Sequence, residues 1–342
     1  ARGAFAAEDF YPQALEAFQW QGEQLCMPQN VSSLVVYYNR TLWQAAGLPP
    51  PAAGWNMRQF REAAIKLTQD TDSDGKTDIY GLGIEPTLIR LAPFIWSMGG
   101  ELVNDPARPS MMTLGLGSGP LALTVVKRLR SVDGVSPPRA QAKSEDLESR
   151  FARGALGMIL HSRRYTTTLR GLKNPPDWDV APFPRLRAVA HSALHADGYC
   201  MARSSPHADL AEAFVAYAIS AEGQSLLSRG GRIVPSRISV ANSPAFLDPG
   251  QPPASAQVFL DAIPNLRRTP NVAVWNEVET KADQVLEEWY YENPALLANT
   301  GYVEEAGDGP RAALWVKQEA DPVLQRGLRE ADEARKKTGE KR

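Results

Sequence analysis

The residues best suited to chemistry form two short clusters. The first is Asp70-Thr71-Asp72-Ser73-Asp74-Gly75-Lys76-Thr77-Asp78. Its carboxylates fall at turn positions 1, 3, 5 and 9, with glycine at 6 and Lys76 at 7, the spacing of oxygen ligation around Ca²⁺. Position 12, where that pattern has a bidentate Glu, is Gly81. The turn reads either as a weak structural Ca²⁺ site on Asp70, Asp72, Asp74, Lys76 and Asp78 or as a solvated acidic turn, and the missing twelfth ligand favours the second. The second cluster is His161-Ser162-Arg163-Arg164-Tyr165, directly after the apolar run Gly157–Leu160. Loops that leave buried strands of α/β sheets line ligand crevices. A guanidinium there stacks on a flat face or pairs bidentately with phosphate or carboxylate, and a solvated basic turn is the equal alternative.

Motifs of catalysis are missing. The four histidines (161, 191, 195 and 207) have neither HExxH nor metal-ligand spacing. There is no G-x-S-x-G elbow and no P-loop lysine, and the glycine-rich LGLGSGP lacks a strand-turn-helix setting. An enzyme is not expected. Cys26 and Cys200 permit one disulfide without requiring it, and buried free thiols are the expectation.

The elements that must position these residues alternate between strand and helix. Leu25–Met27 and Leu34–Tyr38 read as short strands separated by Gln29 and Asn30, a polar break. Asn39 caps a short helix that Gly47 and Pro49–Pro51 end. Helices are expected over Asp9–Gln19, Asn56–Thr68, Leu91–Met98, Leu121–Leu129, His207–Ser220, Ala254–Ile263, Val274–Tyr291 and Arg311–Lys337, the last followed by a basic tail. In His207–Ser220 the spacing puts Leu210, Phe214, Tyr217 and Ala218 on the core face. Strands are expected at Tyr80–Ile84, Gly157–Leu160 and Gly198–Ala202, with Asp179–Pro184 at a sheet edge because of its prolines. At 342 residues the chain exceeds one ordinary core and divides into two α/β lobes. With 43% hydrophobic and 22% charged residues and a net charge of −2, it is a globular protein with no case for nucleic acid as a partner.

Pro28-Gln29-Asn30, Tyr37-Tyr38-Asn39, Gly47-Leu48-Pro49 and Trp55 resemble the lobe crossing of the extracellular solute-binding proteins of ABC importers, in the sugar-binding, maltose-binding-protein-like family. LTQDTDSDGKTDIYGLGI, FIWSMGGEL, FARGALGMIL, DWDVAPFPRL and the long stretch from Ala196 to Pro235 resemble that family's later motifs in the same order. The resemblance implies a type II periplasmic-binding-protein-like fold with discontinuous lobes, a hinge and a central cleft. The lobes would be 1–34 plus 196–240, and 35–195 plus 241–342. It also implies that the first lobe lacks roughly eighty to a hundred N-terminal residues, sized against ordinary lobes.

The site implied by the resemblance needs aromatic faces for sugar rings and polar groups for hydroxyls. Trp96, Tyr165, Trp178 and Trp275 are candidate faces, with core packing the stronger general claim on such residues. Trp96 and Trp275 stand out because the family places aromatics near the cleft there. Asn30 and Ser32 on the first crossing, Asp197 and Gly198 on the second, Glu85, Arg232, Arg267 and the turn His161–Tyr165 complete the ligand-binding set. Similar proteins carry a Gly-Ser-Trp-like turn here with its Trp facing the ligand, and by alignment through Met158 Arg164 falls where that aromatic would be, which opens an anionic alternative. The resemblance therefore implies a monomeric lipoprotein outside the cytoplasm that closes on a di- or oligosaccharide and hands it to a membrane ABC permease. An anionic polyol such as a glycerol phosphate diester is the alternative ligand. A glycan-processing enzyme or a sensor ectodomain on the same scaffold is the alternative role.

Overall fold

The computed structural model describes residues 6–291 and 309–338. The main strands are β1 (Cys26–Pro28), β2 (Val35–Asn39), β3 (Met158–His161), β4 (Trp178–Ala181) and β5 (Gly198–Cys200). The main helices are α1 (Met57–Leu67), α2 (Leu88–Ser97), α3 (Gly119–Ser131), α4 (Arg164–Gly171), α5 (Ala208–Ala218), α6 (Ala221–Arg229), α7 (Trp275–Tyr291) and α8 (Gly309–Thr338). Backbone packing gathers the chain into two units. The first holds Ala1–Gly54, Arg150–Phe183 and Leu194–Arg268, and the second holds Trp55–Ser149, Pro184–Ala193 and Thr269–Arg342. Relative to the lobe bounds read from the sequence, 35–54, 150–183 and 241–268 pack with the first unit.

The physical reason is a three-stranded antiparallel sheet in the first unit, ordered β3-β2-β4. The run Val-Val-Tyr-Tyr-Asn of β2 is buried at every position, as a central strand requires, with Tyr37 opposite Ile159 on one side and Val180 on the other. β4 takes the edge, where Pro182 and Pro184 cost no ladder bonds. The Asn39 side chain accepts the Leu42 N–H at 3.0 Å and so starts the helix Arg40–Ala45. Tyr37 reaches Phe259 at 6.4 Å between ring centres, which brings the 241–268 stretch onto the sheet.

β1 and β5 form a separate antiparallel pair in register Cys26↔Cys200, Met27↔Tyr199, Pro28↔Gly198. That register corrects the expectation of free thiols. It sets the two cysteines opposite each other with Cα atoms 4.4 Å apart, and they are joined as a disulfide. Their separation of 174 residues hid the pairing from any local reading.

Three further expectations change. The helix over Asp9–Gln19 contracts to a 3₁₀ turn at Ala7–Asp9 and a short helix Pro12–Glu16, with Pro12 at its first position. Tyr80–Ile84 is buried and pairs only through single bridges at Tyr80 and Gly83 rather than as a strand. A Cβ on Gly81 would lie 1.8 Å from the Ala64 carbonyl oxygen, and the Gly81 N–H is taken by Thr68 Oγ1 at 3.1 Å. In α5 the expected core face is exposed: Leu210 at 66%, Phe214 at 60% and Tyr217 at 49%, with only Ala218 buried. The helical period is the one expected, and the face has no cover among the described residues.

The second unit is mainly helical. Asn56 and Gln59 form a reciprocal capping box at the start of α1. Helices α2, α3, α7 and α8 share a core that includes Leu91, Leu123, Val126, Leu286, Val316 and Leu324. Lys127 is buried there with its ammonium over the Trp289 ring at 5.4 Å, a cation–π contact. The basic tail expected after α8 lies outside the described residues.

Candidate functional site

The polar break after β1 is stitched into the first unit by its backbone. Gln29 N–H donates to the Asp197 carbonyl at 2.8 Å, Val31 N–H to Val234 at 3.0 Å and Ser32 N–H to His195 at 2.8 Å. Three stretches far apart in sequence thus run side by side around Asn30 and Ser32. The Asn30 amide is used at both ends: its Nδ2 donates to Asp197 Oδ2 at 2.7 Å, and its Oδ1 accepts the Asp197 N–H at 3.0 Å. Asn30 is buried and Asp197 exposed, so the pair presents the carboxylate rather than the amide to solvent. Ser32 is buried, and its Oγ accepts the Arg163 N–H at 3.3 Å. Gln29, whose Nε2 donates to the Tyr199 hydroxyl, ties the same segment to β5. Gly198 has a packing reason of its own: a Cβ there would lie 2.8 Å from the Phe18 ring.

The basic turn splits in two. As β3 runs into α4, Arg163 turns inward and is 1% exposed, while Arg164 stays in water. The Arg163 guanidinium lies over Phe246 at 4.7 Å and Phe259 at 5.2 Å, and its Nε donates to the Gly231 carbonyl at 3.1 Å. Its Nη1 is buried without a hydrogen-bond partner among the described residues. Burial pushes this guanidinium down to about 10, against the opposing pull of Tyr37. Tyr37 is the hub of this region. Its hydroxyl donates to the Ser162 carbonyl at 3.0 Å and is 2.8 Å from Thr166 Oγ1. Its ring meets Tyr165 at 5.4 Å and stacks on Trp178 at 5.5 Å. Burial pushes the Tyr37 phenol up to about 12, with Arg163 opposing, so it stays neutral and donating. His161 is also buried, 4.9 Å from Tyr165.

The structure therefore brings His161, Ser162, Arg163, Tyr165 and Trp178 together around Tyr37. Sequence reasoning missed Tyr37, Phe246 and Phe259 as the groups that hold them. The buried aromatic run of β2 was the available signal for Tyr37. Arg232 is exposed and Arg267 half-buried in the same unit.

In the second unit Trp96 and Trp275 are buried at 3% and 5% exposure. Glu85 is exposed and pairs with Arg90 at 3.1 Å. It borders a cavity of about 420 Å³ whose lining includes Thr87, Arg139, Asp283 and Tyr291. Burial raises the Asp283 carboxyl above its ordinary range, although the Leu88 N–H donates to it at 2.6 Å.

The carboxylates of the acidic turn are exposed, and oxygens of Asp70, Asp72 and Asp78 lie within 4.8 Å of one another. Asp74 instead pairs with Lys76 at 2.8 Å. Backbone N–H groups already occupy much of the turn's acceptor capacity: Gly75 on Asp70 at 2.8 Å, Asp74 on Asp72 at 3.1 Å and Thr71 on Asp78 at 2.7 Å. The Thr71 hydroxyl and N–H hold Asp78 below the ordinary carboxylate range.

Residues 5–254 match the family of bacterial extracellular solute-binding proteins. The chain belongs to that family. It is a solute-binding protein rather than an enzyme. A binding protein of Brucella abortus (strain 2308) is 21% identical over 297 residues, covering 84% of this chain and 67% of that one. Among solved structures, an ABC substrate-binding protein of Listeria monocytogenes in complex with cycloalternan has a TM-score of 0.75 at 19% identity, over 99% of this chain and 78% of that one. The maltose-bound MalE3 of T. maritima has a TM-score of 0.72 at 17% identity, over 93% and 77%. UgpB of Mycobacterium tuberculosis in complex with glycerophosphocholine has a TM-score of 0.71 at 18% identity, over 94% and 76%. These likenesses establish the type II periplasmic-binding-protein fold expected from the sequence. No helix among the described residues is long and apolar enough to cross a membrane.

Proposed function

We propose that this chain is the substrate-binding component of an ABC importer, outside the cytoplasm, capturing a neutral di- or oligosaccharide by hinge closure and presenting it to a membrane permease. The observation that carries the sugar class is the burial of Arg163. Its guanidinium is committed to Phe246, Phe259 and Gly231 inside the first unit, so the basic turn offers one exposed arginine and not two. The Listeria and T. maritima neighbours were solved with neutral sugars, which supports the same reading. A second reading, an anionic polyol such as a glycerol phosphate diester, draws on exposed Arg164 and Arg232 and on the glycerophosphocholine complex of UgpB.

Isothermal titration against maltose, maltotriose, cycloalternan and glycerophosphocholine decides between them. Binding of a neutral sugar that survives Arg164→Ala is the expected result. Binding of glycerophosphocholine alone, lost in Arg164→Ala and weakened by salt, would overturn it.

A further inference from the structure

Helix α6 ends on carbonyls that its own backbone leaves open, and one face of α4 takes them. Residues 163, 167 and 170 recur at the spacing of one helical face. Arg163 Nε donates to the Gly231 carbonyl at 3.1 Å, the Thr167 hydroxyl to Gly230 at 3.4 Å and Arg170 Nη1 to Arg229 at 3.5 Å. Arg170 is also fixed through its Nε, which donates to the Pro252 carbonyl at 2.7 Å. The last carbonyls of a helix lack intrahelical partners and carry the negative end of its dipole, so guanidinium and hydroxyl donors suit them. The approach is close. Gly231 has a φ of 79°, and a Cβ there would lie 2.6 Å from Arg170 Nη1.

The same α6 grips the polar break after β1. Gln224 is fully buried; its Nε2 donates to Ser236 Oγ at 2.6 Å and its Oε1 accepts the Arg237 N–H at 2.9 Å. Ser236 Oγ donates in turn to the Pro28 carbonyl at 2.7 Å. From the other side, the Arg163 N–H donates to Ser32 Oγ at 3.3 Å, just before exposed Arg164 opens α4. The Pro28–Ser32 segment, α4 and α6 therefore close a ring of hydrogen bonds inside the first unit.

We propose that this ring is a brace, and that Thr167 and Arg170 are positioning residues for solute binding. They touch no solute and hold the His161–Tyr165 turn at a fixed setting against Asn30 and Ser32, on the reading that solute contacts both segments. A solute gripped by two segments binds only the arrangement that sets them correctly, and its apparent affinity scales with the population of that arrangement. Holding the arrangement before the solute arrives removes an ordering cost from binding. Where loss of the brace lowers the competent fraction to about one tenth, Kd rises about tenfold.

The test leaves Arg163 in place, because its loss opens a cavity, and combines Thr167→Val with Arg170→Met. Hydrogen exchange, calorimetry and isothermal titration against the solutes named above are run on parent and variant. Peptides spanning 229–236 and 28–34 should exchange at least about fivefold faster in the variant. Kd for the solute that binds the parent should rise about tenfold, while the melting temperature of the first unit moves by less than about 3 °C. Arg170→Lys, which keeps a cation at the end of α6, should stay within about twofold of the parent Kd. Peptide 28–34 is the discriminating one, since neither substituted side chain bonds to it. Faster exchange confined to 229–232 overturns the proposal, as does an unchanged Kd or a loss that Arg170→Lys shares in full. A fall in melting temperature with faster exchange throughout the unit overturns it too, in favour of general destabilisation. If none of the solutes binds the parent, the sugar reading fails by itself, and the exchange pattern still decides for or against the brace.

Discussion

Breaking the Cys26–Cys200 disulfide should lower the melting temperature of the first unit by about 10 °C. The bond closes a loop with a sequence separation of 174 residues. The chain-entropy relation gives about 5 kcal/mol for such a loop at 25 °C, and measured losses on removing native disulfides run at about 2–5 kcal/mol. If the second unit stays folded while the first melts, the effective loop shortens, but halving it changes the figure by only about 0.6 kcal/mol. The first unit comprises about 160 residues. At about 2.1 cal/mol/K of unfolding entropy per residue, each kcal/mol then shifts the melting temperature by about 3 °C. Calorimetry of the oxidised protein, of the same protein under reductant and of Cys26→Ser with Cys200→Ser should show the first transition moving down together in the last two, with the second transition unmoved. A shift below about 2 °C would refute the reasoning, because it would mean that β1 and β5 are held together by the ladder and the Asn30–Asp197 pair alone.

Arg163→Ala should destabilise the first unit by about 3 kcal/mol, since it opens a cavity between Phe246 and Phe259 and strands the Gly231 carbonyl, whereas Arg163→Met, which strands the same carbonyl but keeps the packing, should cost about 1–2 kcal/mol. Denaturant titration separates them, and equal losses would contradict the packing role. Tyr37→Phe removes the hydroxyl shared by Ser162 and Thr166 and should cost about 1–2 kcal/mol by the same assay. Asp9 provides a pH signature. Burial pushes its carboxyl up, but the Ser239 hydroxyl and N–H together with Arg237 outweigh that, and the folded value lies below the ordinary 3.8. A depressed carboxyl contributes stability that is full above the unfolded pKa and lost as pH falls through the folded one. The gap in melting temperature between parent and Asp9→Asn should therefore be constant from pH 5 to 7 and close below about pH 4. A gap that widens on acidification would be inconsistent with the Ser239 and Arg237 bonds.

Much of the fold was legible because local chemistry and tertiary position agreed. Asn39 capped its helix, the prolines of 182–184 sat at an edge, and the β-branched and aromatic run of β2 proved to be the central strand. What escaped was non-local. Nothing near Cys26 or Cys200 announces a partner 174 residues away. The amphipathic period of α5 tells which face must be covered but not by what, so the stripe was assigned to a core that the described residues do not supply. Tyr80–Ile84 has strand composition, yet with Gly81 held tightly against α1 it pairs only through single bridges at Tyr80 and Gly83.

The divergence of Arg163 and Arg164 shows how much a functional reading can turn on one residue step. In sequence the two are equivalent, and together they suggest a doubly basic turn for phosphate. The β3-to-α4 junction makes them opposites. Arg163 lies against the sheet that Tyr37 organises, where an aliphatic–guanidinium body packs well between two rings and its charge is paid little attention by any carboxylate. Arg164 opens the helix and keeps its head in water. A single exposed guanidinium can still grip a phosphodiester bidentately, so the anionic ligand is not removed by geometry alone. Within the basic turn it does, however, become dependent on one side chain, and Arg164→Ala should then abolish that turn's hold on it, leaving only Arg232. A neutral sugar, held by stacking faces and hydroxyl contacts, has no such single point of failure.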